Sequence, residues 1–353
     1  MVITDSKLWI SDLDDVIGAL PELYDLRGKS VMITGCTGLI CSALADLLAR
    51  FNEVSNDKIR IIAAGRSREK IQNRFSRFTE NEWFSAREYD VLSPDQEMRE
   101  QVDYVIHGAG NASPGNIVSE PVETIWGSVL GIKNLLENAR QGQIERILYI
   151  SSSEVYGKNN GDKPLRVDDY GFIDPLAFRN AYSIGKKAAE TLCVSYEEEY
   201  RVDSVIARPG HVYGPTASKT DNRVASAWAF LTAEGKDIVM KSDGAQVRSY
   251  CYVLDCASAL IKILLKGKGG RAYNISNPSS IISIRKLAEL YSEAAGVKLL
   301  YEAPNDMEKK GFNPMLNSSL DASDLLELGW KGLFDAKTGI DHTIRIIKQA
   351  FKE

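Results

Sequence analysis

Residues 30–41 read SVMITGCTGLIC. An apolar, β-branched run stops at Thr34, crosses Gly35, Cys36, Thr37 and Gly38, and re-forms from Leu39 with helical spacing. A strand that passes through a glycine turn into a helix is a built phosphate cradle. Its glycines let bare backbone approach a pyrophosphate, and the helix N-terminus favours the negative charge. A small residue in the third place of this pattern lets the helix lie close to the sheet, and Cys41 stands there. Gly35, Thr37, Gly38, Leu39 and Ile40 are therefore the candidate dinucleotide-binding residues of this turn.

The same rhythm continues outward. SVMIT (30–34), IRIIAA (59–64), VDYVIH (102–107), RILYIS (146–151) and DSVIAR (203–208) predict strands, and 39–51, 120–140 and 181–200 predict helices. Strands without polar alternation, separated by helices, imply a parallel sheet covered on both faces. That is a doubly wound α/β Rossmann domain, with its ligand at the carboxyl ends of the strands. Past residue 210 the rhythm loosens into helices at 222–234, 255–266 and 283–295, with short strand patterns DIVM and RAYNIS. The expected division is a helical leader over 1–27, the Rossmann domain over 28–210 plus about 245–265, and a smaller α/β C-terminal substrate domain from 211–244 and 266–353. In the leader, Leu13, Val16, Ile17 and Leu20 recur at helical spacing after Ser11, the expected cap.

The 353 residues are too many for one simple core, and 44% apolar with 26% charged residues is ordinary globular composition. A net charge of −5 argues against binding nucleic acid or an anionic membrane surface. No apolar run has the length of a transmembrane helix. The acidic N-terminus lacks the basic-then-apolar layout of a signal peptide. Five cysteines without a CxxC spacing read as reduced, mostly buried thiols of a cytoplasmic protein. Three histidines far apart in sequence do not suggest a zinc site.

In an NAD site an acid at the end of the second strand holds the ribose 2′-hydroxyl. This chain has Gly65, Arg66 and Arg68 instead, which suits the 2′-phosphate of NADP; the bland alternative is a pair of arginines opening a solvated helix. Asp90, followed by Val91, is placed to meet the adenine edge, and Ala109 and Gly110 leave bare backbone for the cofactor. Tyr182 and Lys186 fall four apart on one helix, hence on one face. A phenol titrates near 10, so an adjacent ammonium and a positive nicotinamide are expected to lower it toward the working range. Ser152 supplies a hydroxyl to orient an alcohol.

Taken together, ITGCTGLI, HGAGNASP, SSSEVYG, the Tyr182/Lys186 pair, RPGHVYGP, RSYCYVLD, AYNISN and LGW at 328–330 resemble the extended short-chain dehydrogenase/reductase family. The resemblance is to its NAD(P)-dependent nucleotide-sugar epimerases, dehydratases and decarboxylases, and it covers nearly all of the chain from about residue 28. It implies Tyr182 as base, Lys186 as its partner and nicotinamide-ribose ligand, Ser152 as the catalytic hydroxyl, and Pro209 beside the cofactor. It implies Arg248 on the substrate diphosphate, matching the guanidinium's bidentate preference. Ser113, Ser153, Arg179, Asn180 and His211 are the further expected substrate contacts. His211 replaces the family's usual asparagine, and Ser128 replaces another.

Glu154 stands where members that eliminate water or carbon dioxide place a carboxylate; Ser153-Glu154 is closer to the UDP-glucuronate decarboxylases and GDP-mannose dehydratases than to the dTDP-sugar dehydratases, and HGAGNASP and DPLAFRNAY look more like the decarboxylase branch. Alternatively, Glu154 caps its turn or pairs with Lys158. The expected activity is oxidation of a nucleotide-linked sugar at C4 by a bound NAD or NADP, followed by elimination, decarboxylation or epimerisation. Two other readings remain: a net NADPH-dependent reductase, and a non-catalytic NADP-binding sensor. Helices 120–140 and 181–200 imply, by the same resemblance, a homodimer. The stripe Ala188, Ala189, Leu192 and Val194 equally suits core within the chain.

Overall fold

The computed structural model describes residues 3–93, 98, 100–159, 161–303 and 315–351. Its strands are β1 (Ser30–Thr34), β2 (Arg60–Gly65), β3 (Phe84–Glu88), β4 (Val102–His107), β5 (Ile144–Ile150), β6 (Ser204–Pro209), β7 (His211–Tyr213), β8 (Ile238–Met240), β9 (Val247–Tyr252), β10 (Ala272–Ile275), β11 (Ile281–Ser283), β12 (Leu299–Tyr301) and β13 (Asn317–Ser318). The helices that matter are α1 (Lys7–Ala19), α2 (Leu39–Val54), α3 (Arg68–Arg74), α4 (Pro114–Ser119), α5 (Pro121–Arg140), α6 (Ala181–Tyr200), α7 (Val224–Ala233), α8 (Val253–Lys266) and α9 (Ile284–Ala295).

Seven parallel strands form one sheet in the order β10-β6-β5-β4-β1-β2-β3. Chain order reverses between β1 and β4, which pair Val31 with Tyr104 and Thr34 with His107. That reversal opens a crevice at the carboxyl ends of the strands. Strand β1 shows why both faces are covered: Val31 and Ile33 enter the core with α2 and α8, while Met32 enters the core with Ile132, Leu135, Ala189 and Cys193 of α5 and α6. Each such fully buried aliphatic side chain contributes about 1.5–3 kcal/mol. A smaller assembly sits over one end of the sheet, where β9 pairs with β7, β11 and β13, and β8 pairs with β12.

Three elements differ from the sequence reading. FSARE forms β3, an edge strand whose pattern is polar because only Phe84 is buried. RAYNIS, assigned by sequence to the smaller domain, supplies β10, which pairs in parallel with β6 and ends the main sheet. Helix α1 is capped by Ser6, whose Oγ accepts from the Trp9 amide at 3.4 Å, rather than by Ser11, which lies inside it. The expected apolar stripe is confirmed: Leu13, Val16, Ile17 and Leu20 are buried.

The leader packs into the main core. Trp9 is fully buried and its Nε1 donates to Asp46 at 3.2 Å. Asp12 accepts from the Tyr252 hydroxyl at 2.8 Å and faces His342 Nδ1 at 2.9 Å, while Lys262 donates to Glu22 at 2.5 Å. Since Tyr252 ends β9, Lys262 is on α8 and His342 lies in the C-terminal helix Ala336–Phe351, the leader ties the sheet to the smaller assembly.

Candidate active site

The β1–α2 turn has the shape of the expected cradle. Gly35 holds φ at +68°, and a Cβ there would stand 2.9 Å from the backbone of Gly108 and Ala109. Gly108 is equally constrained, because a Cβ on it would come within 2.3 Å of Cys41 Sγ. The thiol thus fills the gap between helix and sheet. Gly38 begins α2 without any side chain capping it, so the helix N-terminus keeps its amides for an anion. Thr37 and Gly38 are exposed, Ile40 is half-buried and Leu39 is buried. Opposite the turn, Thr34 Oγ1 meets His107 Nδ1 at 2.7 Å and accepts from the Ala109 amide at 3.3 Å, which fixes the loop carrying Ala109 and Gly110. This backbone-lined crevice fits a nicotinamide dinucleotide.

At the second strand, Ser67 caps α3 by accepting from the Lys70 amide at 3.2 Å. Arg68 opens that helix, as the bland alternative had it, whereas Arg66 stands exposed between the strand end and the cap. Asp90 and the buried Val91 follow β3, with Asp90 accepting from the Leu92 amide at 3.1 Å. Pro209 is buried at the end of β6.

The catalytic candidates meet at the ends of β5 and α6. Ser152 starts the 3-10 turn Ser153–Tyr156, its Oγ accepting from the Glu154 amide at 3.2 Å. Tyr182, in the first turn of α6, is 8% exposed, and the Ser152 hydroxyl is near enough to draw its pKa downward. Lys186 is 6% exposed; its Nζ donates to the Ile150 carbonyl at 2.7 Å and lies 4.7 Å from the Tyr149 ring centre. Burial lowers the Lys186 pKa to about 8, with Glu190 opposing that shift. Burial likewise pushes Tyr182 up to about 12; Ser152 pulls it back, Glu154 adds to the rise, and Arg223 opposes it. The expected lowering of the phenol by the ammonium and the nicotinamide together is not reached in the chain by itself, where burial dominates. The ammonium sits 5.8 Å from the Tyr182 ring centre and is itself weakened by burial. In this chain the phenol is neutral at neutral pH, and an added cation is needed to bring it down.

Glu154 faces the cleft. Arg179 grips it through Nη1 at 2.9 Å and Nη2 at 3.4 Å, and the Ser183 hydroxyl donates to it at 3.2 Å. The partner is Arg179, not Lys158. Both side chains of the pair remain open to solvent, 39% for Glu154 and 51% for Arg179. Asn180 spends its amide on the Asp174 carbonyl at 2.9 Å. Ser153 is half-buried on the turn, and Ser113 begins α4 across the crevice.

The far wall is cationic. Arg248 is 3% exposed and donates to the carbonyls of Val247 at 2.8 Å and Met315 at 3.0 Å. His211 opens onto the cleft, and desolvation, then Arg248, lower its pKa to about 4; Glu154 opposes and Arg223 adds. So the charges of Arg248, Glu154 and Arg223 act on His211, and those of Glu154 and Arg223 act on Tyr182. Arg223 was missed by sequence reasoning. It precedes α7, held by Asp221, which accepts from Arg223 Nε at 2.9 Å and from Ser226 at 3.0 Å. A lone arginine before a helix carries no local mark of this role. Ser128 turns its hydroxyl back to the Thr124 carbonyl at 3.0 Å and packs under Gly185.

This arrangement can orient a sugar alcohol at Ser152 and Tyr182, hold an anionic group at the arginines, and present a carboxylate beside them. Residues 31–276 match the model of the NAD dependent epimerase/dehydratase family. UDP-glucuronic acid decarboxylase 3 of Arabidopsis thaliana is 29% identical over 317 residues, which is 88% of this chain and 86% of that protein. The UDP-glucose 4-epimerase of Thermotoga maritima, solved with UDP-glucose, superposes with a TM-score of 0.76 at 21% identity, covering 91% of this chain and 99% of its own. RMD from Pseudomonas aeruginosa, complexed with NADPH, gives a TM-score of 0.70 at 22% identity, covering 91% and 99%. With the fold, the cradle and the Ser152–Tyr182–Lys186 cluster all in place, the chain belongs to the NAD dependent epimerase/dehydratase family, the nucleotide-sugar branch of the extended short-chain dehydrogenase/reductases.

Proposed function

We propose that this enzyme oxidises a nucleoside-diphosphate sugar at C4 and then moves a proton at C5 through Glu154, with a UDP-linked uronate as the favoured substrate. The bound nicotinamide supplies the hydride acceptor and a positive charge. Gly35, Thr37, Gly38, Leu39 and Ile40 would hold its pyrophosphate, Ala109, Gly110 and Pro209 would line it, and Lys186 would hold its ribose. Arg66, in place of an acid, favours NADP, while the family's description and the similarity to decarboxylases keep NAD as the alternative.

Tyr182 takes the C4 hydroxyl proton, with Ser152 orienting that hydroxyl. Its pKa of about 12 in the chain alone means the step is gated by the incoming positive charge. Arg248 and His211 face the diphosphate. The observation that carries the second step is Glu154, on the same turn as Ser152 and near enough to Tyr182 to raise its pKa, held among the described residues by a solvent-facing arginine and a serine hydroxyl. A C4 ketone makes the C5–H acidic and makes a C5 carboxylate a leaving group. Either way, one proton must leave or reach C5, and Glu154 is the carboxylate placed to carry it. Arg179, once released, suits the carboxylate of a uronate.

The exposed apolar side chains Val122 and Trp126 on α5 and Val194 on α6 support a homodimer through these two helices. A cytoplasmic location is the reading of the five free, buried thiols. No helix among the described residues is long and apolar enough to cross a membrane. The test is product mass after incubation with UDP-, GDP-, CDP- and dTDP-sugars, including UDP-glucuronate, with NAD and with NADP. Loss of carbon dioxide from UDP-glucuronate is the expected result; active substrates whose mass never changes would contradict the C5 step.

A further inference from the structure

Behind the catalytic face of α6 lies a polar chain that the mechanism above does not use. Arg208, on β6, makes a two-pronged contact with Glu190 of α6, Nε to Oε1 at 2.9 Å and Nη2 to Oε2 at 2.7 Å. Its remaining nitrogen donates to the Tyr156 hydroxyl at 3.0 Å and to the Val167 carbonyl at 2.9 Å. Tyr156 in turn donates to Asn274 Oδ1 at 2.6 Å, and Asn274 Nδ2 donates to the carbonyls of Leu165 and Asp321, each at 2.9 Å. The two charged side chains are only 13% and 10% exposed, and Tyr156 is 2% exposed.

The ends of this chain are informative. Tyr156 closes the 3-10 turn that carries Ser152 and Glu154, and Glu190 lies one helical turn after Lys186 on the helix that carries Tyr182. The turn and the helix are also joined by the Ser183 hydroxyl, which donates to Glu154 at 3.2 Å. We propose that the Glu190–Arg208–Tyr156 chain is a positioning element, which sets the Ser152–Glu154 turn against α6 and keeps Lys186 charged in its buried place.

The charge part follows from what surrounds Lys186. On its own helix it faces Tyr182, Glu190 and Cys193; on β5, the Ile150 carbonyl and the Tyr149 ring; on α2, Cys41; on β4, His107. Cys41 and Cys193 are thiols that burial pushes up to about 12, and His107 is lowered to about 3, so these three are neutral at working pH. Glu190 is the carboxylate among these neighbours, and it heads the influences that hold the ammonium up against burial. Arg208 fixes where that carboxylate points. The inference rests on Lys186 serving the hydride site, as proposed above.

The test follows the Lys186 titration by NMR in the full chain with NAD added, using isotope-labelled lysine side chains and K186M to identify the signal. For E190Q, which keeps shape but removes charge, the midpoint should fall by about one pH unit. For R208K, which keeps charge but loses the fork, the midpoint should stay while kcat on UDP-glucuronate falls about tenfold. Y156F keeps the ion pair and cuts only the link to the turn, so it should lower kcat with an unchanged midpoint and near-native melting, whether or not E190Q folds. An unmoved midpoint in E190Q overturns the charge role, and native kcat in Y156F overturns the positioning role. The reading of Lys186 itself fails separately if K186M turns over normally, and the E190Q midpoint does not depend on that result.

Discussion

The two halves of the cleft are built differently. On the sheet side, Tyr182 and Lys186 are 8% and 6% exposed, and Lys186 is pinned to a backbone carbonyl at 2.7 Å. On the solvent side, Glu154 and Arg179 are 39% and 51% exposed and hold each other in one ion pair. Burial shifts both groups of the first half in the direction that disfavours charge. An exposed pair such as the second contributes only about 0.2–1 kcal/mol. The first half is thus fixed and waits for a cofactor to activate it, whereas the second can be opened by any anion that competes for Arg179. A site that must run a reversible redox step and then a different proton transfer is served by that asymmetry.

The largest expected effect comes from breaking the fixed half. Tyr182→Phe should cost roughly 10²–10⁴-fold in kcat, the range for a positioned acid–base group, and rapid-mixing absorbance should show no cofactor reduction. Breaking the open half should act later. Glu154→Gln should allow the nicotinamide to be reduced by UDP-glucuronate in a single turnover while product formation stalls about 10²-fold or more. If both variants block reduction equally, the division between the halves is wrong.

Sequence reasoning read the two halves unequally, and for physical reasons. The sheet strands and the cradle were legible because burial on both faces forces continuous apolar runs, and the tight turn forces Gly35. Ser152, Tyr182 and Lys186 were singled out by the set of motifs that carries the family resemblance, not by spacing alone. Strand β3 was not, since an edge strand needs few apolar residues, and RAYNIS was read as a strand but not placed beside β6, because sheet membership is a long-range property. The Arg179 grip on Glu154 spans 25 residues and Arg223 acts on Tyr182 from another element, so neither leaves a local pattern. The phenol's rise to about 12 was missed because its largest cause is burial, which depends on the whole fold.

Smaller effects sharpen the comparison. Arg179→Met should raise KM for UDP-glucuronate about tenfold and leave KM for UDP-glucose nearly unchanged, in steady-state assays. Arg66→Ala should shift the NADP-to-NAD preference toward NAD by roughly tenfold, read by titrating each cofactor. The smallest effect concerns the leader that braces the fixed half. Asp12 raises the His342 pKa above 6.5, so this contact stabilises the fold below that value and loses its contribution as pH rises through the raised one. Thermal melts of His342→Gln should therefore trail the native protein most in acid, and the gap should close on the alkaline side.

The central claim is that Glu154 moves a proton at C5 after the hydride has left C4. Running the reaction on UDP-glucuronate in heavy water and weighing the product tests it most directly. The account expects one solvent deuteron bound to carbon in the product, and for Glu154→Gln a reduced nicotinamide with product formation slowed about 10²-fold or more. A product formed at full rate with no carbon-bound deuterium would mean that the sugar only turns over and takes back its hydride, and that the glutamate merely holds Arg179 in place.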